Sequence, residues 1–178
     1  MLIYVYGGSG SGKSAYAEQR IVESGEKHRY YIATMEHSGA ESEKRIERHR
    51  LLRNGKGFQT MECPVGLEQL ERMERGAVLL EDLSNLLANE IWSAQGRGFC
   101  QQLPELIVDA CKMLAKQHAL VVVVGNDLYR EPLPESPELE GYLRLLAECG
   151  QRLGAAADEV IEVVCGIPIV QKGRTEAR

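Results

Sequence analysis

The sequence predicts an α/β protein with a mostly parallel central sheet and helices on its faces. Short apolar runs alternate with amphipathic segments along the chain, which is the pattern of βαβ units. The first apolar run, residues 2–6, leads straight into a glycine-rich stretch and then into a segment of helical character. The length of 178 residues fits one domain spanning 1–178.

Each strand is predicted from a short run of apolar or β-branched residues. The run at 119–124, Ala-Leu-Val-Val-Val-Val, is the strongest candidate for a central strand. Two short runs at 160–165 and 167–170 bracket Gly166, which predicts a C-terminal antiparallel hairpin. The other predicted strands are residues 2–6, 29–33, 58–61 and 77–80.

The helices are predicted from apolar residues at helical spacing. Residues 38–53 differ, since their Glu and Lys/Arg residues fall three and four apart, which indicates an exposed helix. Residues 130–137 hold three prolines and are predicted to be a loop, and the polar residues 173–178 a frayed tail. The remaining predicted helices are residues 13–24, 67–73, 84–92, 101–117 and 139–157.

Composition narrows the classes of protein. A formal net charge of −5 argues against nucleic acid as a partner, because such proteins need a basic face. The five cysteines show no Cys-x-x-Cys spacing, so we expect buried, reduced thiols and neither a zinc site nor disulfides. The longest purely apolar run is too short to span a bilayer, and no signal-peptide pattern precedes the first strand. We therefore expect a cytoplasmic protein without stable membrane insertion.

A phosphate-binding loop is the strongest functional motif. Residues 7–14 match G-x-x-x-x-G-K-[ST] in full, between a strand and a helix. Glycines let the backbone N–H groups curl around phosphate oxygens, and the helix that follows adds its positive N-terminal end. The motif predicts that the lysine reaches the β- and γ-phosphates and that the serine hydroxyl ligates Mg²⁺. Its residues are Gly7, Gly8, Ser9, Gly10, Ser11, Gly12, Lys13 and Ser14.

A P-loop site also needs an acidic residue at the end of a second buried strand to hold or position the metal. Glu81 and Asp82 both follow the strand at 77–80, and either could instead cap the helix that begins near Ser84. Asn126 and Asp127 end the strand at 119–124, where they could contact the ligand or form only a turn.

The segment 44–53 concentrates positive charge and contains His49. Such a run is usually a solvated helix face, and on composition alone this interpretation of His49 is favoured. Beside a phosphate site, the same cluster could stabilise transferred phosphate, and His49 could act as a nucleophile on phosphorus.

Taken together, the motifs resemble one family: the bifunctional adenosylcobinamide kinase / adenosylcobinamide-phosphate guanylyltransferase of cobalamin biosynthesis. The matching pieces run over nearly the whole chain, and their order and spacing are more specific than the P-loop alone. They are Gly7-Gly8 and Ser11-Gly12-Lys13-Ser14; Tyr31-Ile32-Ala33-Thr34; Arg45-Ile46-x-x-His49-Arg50; Phe58-x-Thr60-x-Glu62; Leu79-Leu80-Glu81 with Asn89; Asn126; Gln151-Arg152-Leu153; Ala157-Asp158-Glu159-Val160; and Gly166-Ile167-Pro168.

The resemblance implies a RecA-like P-loop fold and a two-step enzyme. ATP or GTP would phosphorylate adenosylcobinamide, or a related corrinoid; GMP would then pass from GTP to His49 and on to the new phosphate. It further implies that Glu81 rather than Asp82 is the metal-site acid beside Ser14, that Lys13, Glu81 and His49 are catalytic, and that the protein is a homotrimer. The nucleotide site would also include Ala33, Thr34, Met35, Arg50, Leu51, Leu52, Arg53 and Glu62.

The chain departs from the family pattern in several places. Gly10 replaces the usual arginine of the loop, and the stretches after Asn126 and around residues 141–151 differ. Two other functions therefore stay open: a P-loop kinase of another small molecule in which His49 is structural, and a nucleotide-binding module that has lost one activity.

Overall fold

A computed structural model describes residues 1–36, 47, 51, 53–128 and 136–173. The strands in this part of the chain form one seven-stranded sheet. They are β1 (Leu2–Gly7), β2 (Arg29–Ala33), β3 (Phe58–Glu62), β4 (Ala77–Glu81), β5 (Leu120–Asn126), β6 (Glu159–Val164) and β7 (Ile167–Lys172). Their spatial order is β3-β2-β4-β5-β1-β6-β7, and every pairing is parallel except that of β6 with β7.

Four α-helices flank this sheet among the described residues. They are α1 (Lys13–Glu23), α2 (Leu83–Trp92), α3 (Leu103–Gln117) and α4 (Pro137–Ala156). Helix α1 packs on one face, where Ala17 and Ile21 join Ile3, Val5 and other residues of the strands in a buried cluster. Helices α2, α3 and α4 cover the opposite face and build the larger part of the core. Parallel strands bring the loops that follow β1, β2, β4 and β5 to one edge of the sheet, which places the candidate site there.

The predicted α/β class, the mostly parallel sheet and the C-terminal hairpin are confirmed. The helix predicted for residues 67–73 is wrong. Only a 3₁₀ turn forms, Leu67–Gln69, and the backbone is already extended at Leu70. Leu67 is buried, but Leu70 and Met73 are only partly buried against the core, and Gly66 gives the turn no side-chain cap, so little holds a longer helix here.

Two further predictions are only partly addressed. The charged helix predicted for 38–53 falls mostly outside the described residues, although Glu47, Leu51 and Arg53 are helical. The loop predicted for 130–137 is mostly outside them too, and its last residue, Pro137, begins α4 instead. The expectation of buried thiols holds for Cys63, Cys111 and Cys149 but is wrong for Cys165, which is exposed in the hairpin turn. None of the described helices is long and apolar enough to cross a membrane.

Candidate nucleotide site

The loop between β1 and α1 depends on glycine at two close approaches. A Cβ at Gly7 would lie 2.5 Å from the Val163 carbonyl oxygen. At Gly12 the φ of +92° disfavours other residues, and a Cβ would lie 3.2 Å from Gly166 Cα. The Gly166 N–H donates to the Ser11 carbonyl at 2.8 Å. The turn of the C-terminal hairpin thus supports the loop from outside.

Lys13 is almost fully buried at the first position of α1. Its Nζ donates to the Gly8 carbonyl at 3.0 Å, which keeps the ammonium against the loop backbone. Burial lowers the pKa of Lys13, and the charges of Asp82 and Glu81 oppose that change. The side chain is therefore a cation held within a loop whose backbone N–H groups also favour negative charge.

Ser14 and Glu81 meet across the space between α1 and the end of β4. The Ser14 hydroxyl donates to Glu81 Oε1 at 2.5 Å. Glu81 Oε2 is buried and has no hydrogen-bond partner among the described residues. Burial, reinforced by the charge of Asp82, raises the pKa of Glu81 to about 8. A hydroxyl beside a carboxylate with one unsatisfied oxygen is the kind of oxygen donor set that suits Mg²⁺, so the residues present fit this ion.

The neighbouring acid, Asp82, caps a helix. Asp82 Oδ1 accepts from the Asn85 N–H at 2.8 Å and from the Ser84 hydroxyl at 2.6 Å, so it caps α2. Asn126 Nδ2 donates to Asp82 Oδ2 at 3.1 Å and to Ser84 Oγ at 2.5 Å. Asp127 donates its backbone N–H to the Gly7 carbonyl at 3.1 Å. Of the two acids at this strand end, Glu81 faces Ser14 and Asp82 organises the helix.

Thr34 lies at the end of β2 and clamps the turn that carries both acids. It is fully buried, its hydroxyl accepts from the Asp82 N–H at 2.7 Å, and it donates to the Asp82 carbonyl at 2.8 Å. Its own N–H donates to the Glu81 carbonyl at 3.1 Å. The hydroxyl of Thr34 thus binds protein backbone, and Asn89 in turn donates to the Thr34 carbonyl at 2.7 Å.

A small pocket of about 50 Å³ opens between the ends of β2, β3 and β4. Arg53 is buried in its wall, with the guanidinium carbon 3.4 Å from the centroid of the Tyr31 ring. Its Nη1 finds no hydrogen-bond partner in the part of the chain that the structure describes. Tyr31 has a pKa raised well above its usual value by burial. The pocket is lined by Tyr31, Ala33, Met35, Arg53, Glu62, Glu81, Asp82 and Asn85.

An ion pair joins the P-loop helix to the turn that follows Arg53. Glu18, buried on α1, accepts from Lys56 Nζ at 2.5 Å. The Lys56 carbonyl accepts from Arg29 Nη1 at 2.9 Å, and the Lys56 N–H donates to the Arg53 carbonyl at 3.1 Å. This turn therefore has fixed contacts with both α1 and β2.

The whole-chain comparison identifies the family. A model of the cobinamide kinase / cobinamide phosphate guanyltransferase family matches residues 3–170. The chain belongs to this family. Two curated relatives, from Salmonella typhimurium and Escherichia coli, are each named "Bifunctional adenosylcobalamin biosynthesis protein CobU". Each is 30% identical to the chain, over 95% of this chain and 98% of its own length.

Solved structures of lower identity show the fold. The flagellar accessory protein FlaH from Methanocaldococcus jannaschii aligns with a TM-score of 0.54 at 13% identity, covering 97% of this chain and 78% of its own. The RadB recombinase aligns with a TM-score of 0.53 at 16% identity, covering 99% and 82%. These neighbours support a RecA-like P-loop architecture for this member of the cobinamide kinase family.

The structure gathers most of the predicted nucleotide-site residues at one edge of the sheet. The loop residues, Glu81, Ala33, Met35, Arg53 and Glu62 all lie there, whereas the Leu51 side chain is 68% exposed. His49, Arg50 and Leu52 lie outside the described residues. Sequence reasoning missed Tyr31 and Asn85. Tyr31 lies in the Tyr31-Ile32-Ala33-Thr34 motif, but only the fold shows that its ring faces the buried guanidinium of Arg53.

Proposed function

We propose that the protein phosphorylates a cobinamide with ATP or GTP and then transfers GMP from GTP to the product through His49. Family membership supports both steps. The observation that carries the nucleotide chemistry is the Ser14–Glu81 contact beside the buried Lys13, because it gives the loop a cation for phosphate and an oxygen pair for Mg²⁺.

In the kinase step, the loop backbone and Lys13 hold the β- and γ-phosphates. Ser14 and Glu81 would hold Mg²⁺, which supplies positive charge where the phosphoryl group is transferred. The acceptor hydroxyl attacks the γ-phosphorus, the bond to the β-γ bridging oxygen breaks, and the hydroxyl proton leaves to a base or water. Burial raises the pKa of Glu81, so its carboxyl would release its proton to solvent when it serves as a ligand of the ion.

In the transfer step, a neutral His49 imidazole attacks the α-phosphorus of GTP and pyrophosphate leaves. The phosphate of the cobinamide phosphate then attacks the same phosphorus, releasing the imidazole and forming a diphosphate bridge. His49 precedes Arg53 by four residues, and the Arg53 guanidinium lines the pocket next to Glu81. A cation at that place can balance charge on the transferred phosphate.

Incubation with α-labelled GTP and Mg²⁺, followed by mass analysis of the intact protein, tests the proposal. One acid-labile GMP per chain should form without any corrinoid, and added cobinamide phosphate should remove it. His49→Ala should form none, while the matched control His28→Ala, at a surface histidine beside Glu74, should label normally.

Turnover of nucleotide without an adduct would contradict the transfer step and favour a P-loop kinase of another acceptor. This alternative is supported by the departures from the family pattern, such as Gly10 in the loop. From the family resemblance we also infer a single-domain cytoplasmic homotrimer that does not use nucleic acid, and light scattering of the purified protein tests the trimer.

A further inference from the structure

A wide cavity of about 850 Å³ opens beside edge strand β3 and the loop that follows it. It is separate from the small pocket that Arg53 and Glu81 line, but Glu62 lines both. Its other lining groups include the side-chain amides of Gln69 and Gln95 and the carboxylate of Glu71. Nothing in the nucleotide chemistry described above uses this space.

The cavity has a built wall. Glu90 on α2 is almost fully buried and accepts from the Gly66 N–H at 2.7 Å and from Arg97 Nη1 at 2.8 Å. The preceding residue, Asn89, donates from Nδ2 to the Pro64 carbonyl at 3.1 Å and to the Thr34 carbonyl at 2.7 Å. The same helix therefore fixes the cavity loop and the turn that carries Glu81, so the two sites keep a constant separation.

That separation follows from the sheet register. Glu62 pairs with Ala33, and Ala33 pairs with Glu81. Two strand spacings place the β3 end about 10 Å from the β4 end, where Glu81 meets Ser14. In a cobinamide, the hydroxyl that is phosphorylated stands at the end of an amide-linked side chain, away from the macrocycle. A macrocycle in the cavity could thus extend that arm past Glu62 toward the phosphate site.

We propose that this cavity binds the corrinoid acceptor, with its rim of carboxamides against Gln69, Gln95 and the exposed edge of β3. The assignment rests on the proposed function for the class of acceptor. Amide side chains pair with amides through both donors and acceptors. A cobalt(III) corrinoid without its nucleotide loop carries net positive charge, which the carboxylates of Glu62 and Glu71 complement. The lining also contains Arg97, whose charge is balanced by its ion pairs with Glu68 and Glu90.

A steric block separates this proposal from nucleotide binding. Gln95→Trp would place an indole in the cavity, and the matched control Gln117→Trp puts the same side chain on an exposed position at the end of α3. Two quantities are measured for each: the KM for adenosylcobinamide in the kinase assay, and GTP-dependent GMP labelling without corrinoid. We expect the KM to rise at least about tenfold in Gln95→Trp alone, with labelling as in the wild-type protein in both variants.

A milder change tests the amides themselves. Gln69→Leu combined with Gln95→Leu keeps the volume and removes both amides, so the KM for the corrinoid should rise by a few-fold, with kcat nearly unchanged. Equilibrium dialysis with adenosylcobinamide, followed by its visible absorbance, measures binding directly. Circular dichroism melting verifies that each variant is folded.

The measured KM values and the GMP labelling together test whether the corrinoid binds in this cavity. An unchanged corrinoid KM in a folded Gln95→Trp protein would overturn the assignment. Loss of GMP labelling or a raised KM for GTP would overturn it too, by placing the guanine there instead. If the wild-type protein forms no GMP adduct while Gln95→Trp still loses corrinoid binding, the transfer step fails and the acceptor site stands.

Discussion

The two faces of the sheet bury very different groups. On the α1 face, near the carboxyl ends of the strands, Lys13, Glu18 and Arg53 are buried, and Glu81 lies beside them. On the opposite face, helices α2, α3 and α4 bury a continuous apolar cluster that includes Leu86, Leu103 and Leu146. The α1 face thus holds most of the buried charge, which costs stability, and the larger apolar cluster of the other face, where Glu90 is the buried acid, helps to offset that cost.

The orphaned atoms make the same contrast sharper. Arg53 Nη1 and Glu81 Oε2 are both buried without a partner among the described residues, and both residues line the small pocket between the ends of β2, β3 and β4. Unpaired buried polar groups are costly in a structural role, and an arginine and a glutamate atom left unpaired at one pocket indicate a functional site on the α1 face. Ser93 Oγ and both ring nitrogens of His118 are also buried without a partner in the described part of the chain, but they line no shared pocket with a second such group. Changes on this face should therefore alter activity, and changes on the other should alter stability.

The largest effect is expected for Lys13→Ala. Removing the buried cation should lower kcat/KM for phosphoryl transfer by at least about 10²–10³-fold, because the phosphate charge is no longer balanced in the loop. Initial rates measure this change, and Lys112→Ala, at an exposed side chain of α3, is the control. Thermal stability should stay the same or rise, since burial already disfavours the charged form of Lys13. A folded Lys13→Ala protein of normal activity would remove the P-loop role.

Leu146→Ala on α4 should show the opposite pattern. The side chain is 1% exposed within the larger cluster, and its truncation should lower the free energy of unfolding by about 2–5 kcal/mol. Urea titration followed by circular dichroism measures this loss. Activity per folded molecule should be unchanged, and a selective loss of activity would contradict the division between the faces.

The Glu18–Lys56 ion pair should contribute a smaller, coupled amount. Lys56 is 39% exposed, so solvent weakens the pair, and we expect a coupling free energy of about 1–2 kcal/mol. A double-mutant cycle with Glu18→Gln and Lys56→Met in urea unfolding measures the coupling. Lys56→Arg should retain most of it. A coupling free energy near zero would show that the turn after Arg53 is held by its other contacts.

The last prediction is a pH dependence of stability from Glu81. Its folded pKa of about 8 lies above the unfolded value, so the folded state holds an extra proton between these pKa values. Stability from this group is therefore lost as pH rises from the unfolded pKa to about 8. Glu81→Gln should be equal to wild type near pH 4 and more stable at pH 8, so the difference in melting temperature between the two proteins should grow as pH rises.

Melting curves with EDTA and without nucleotide measure this difference, and Glu23→Gln, at an exposed residue of α1, is the control. The charged neighbours that act on Glu81 are Asp82, Lys13 and Glu18. A constant difference between wild type and Glu81→Gln across the pH range would contradict the raised pKa.

Local pattern determined most of the architecture. The loop residues 7–14 needed only their glycines and the flanking strand and helix, because backbone N–H groups and a lysine at fixed spacing make the site. The central strands were visible as apolar runs, since parallel strands inside a sheet are buried on both faces. The failed helix at 67–73 shows the limit: its apolar residues stand at helical spacing and pack against the core, yet only the 3₁₀ turn Leu67–Gln69 forms.

By itself the sequence determined the α/β class, the phosphate loop and the family resemblance, because these rest on residues close together in the chain or on their order along it. The resemblance favoured Glu81 over Asp82, but only the tertiary structure showed that Glu81 contacts Ser14 while Asp82 caps α2, paired Arg53 with Tyr31, and tied Glu18 to Lys56. Those contacts join residues 3 to 67 positions apart, and even the shortest depends on which way a strand end or a helix cap turns a side chain. Such directions are fixed by packing, which no local pattern encodes.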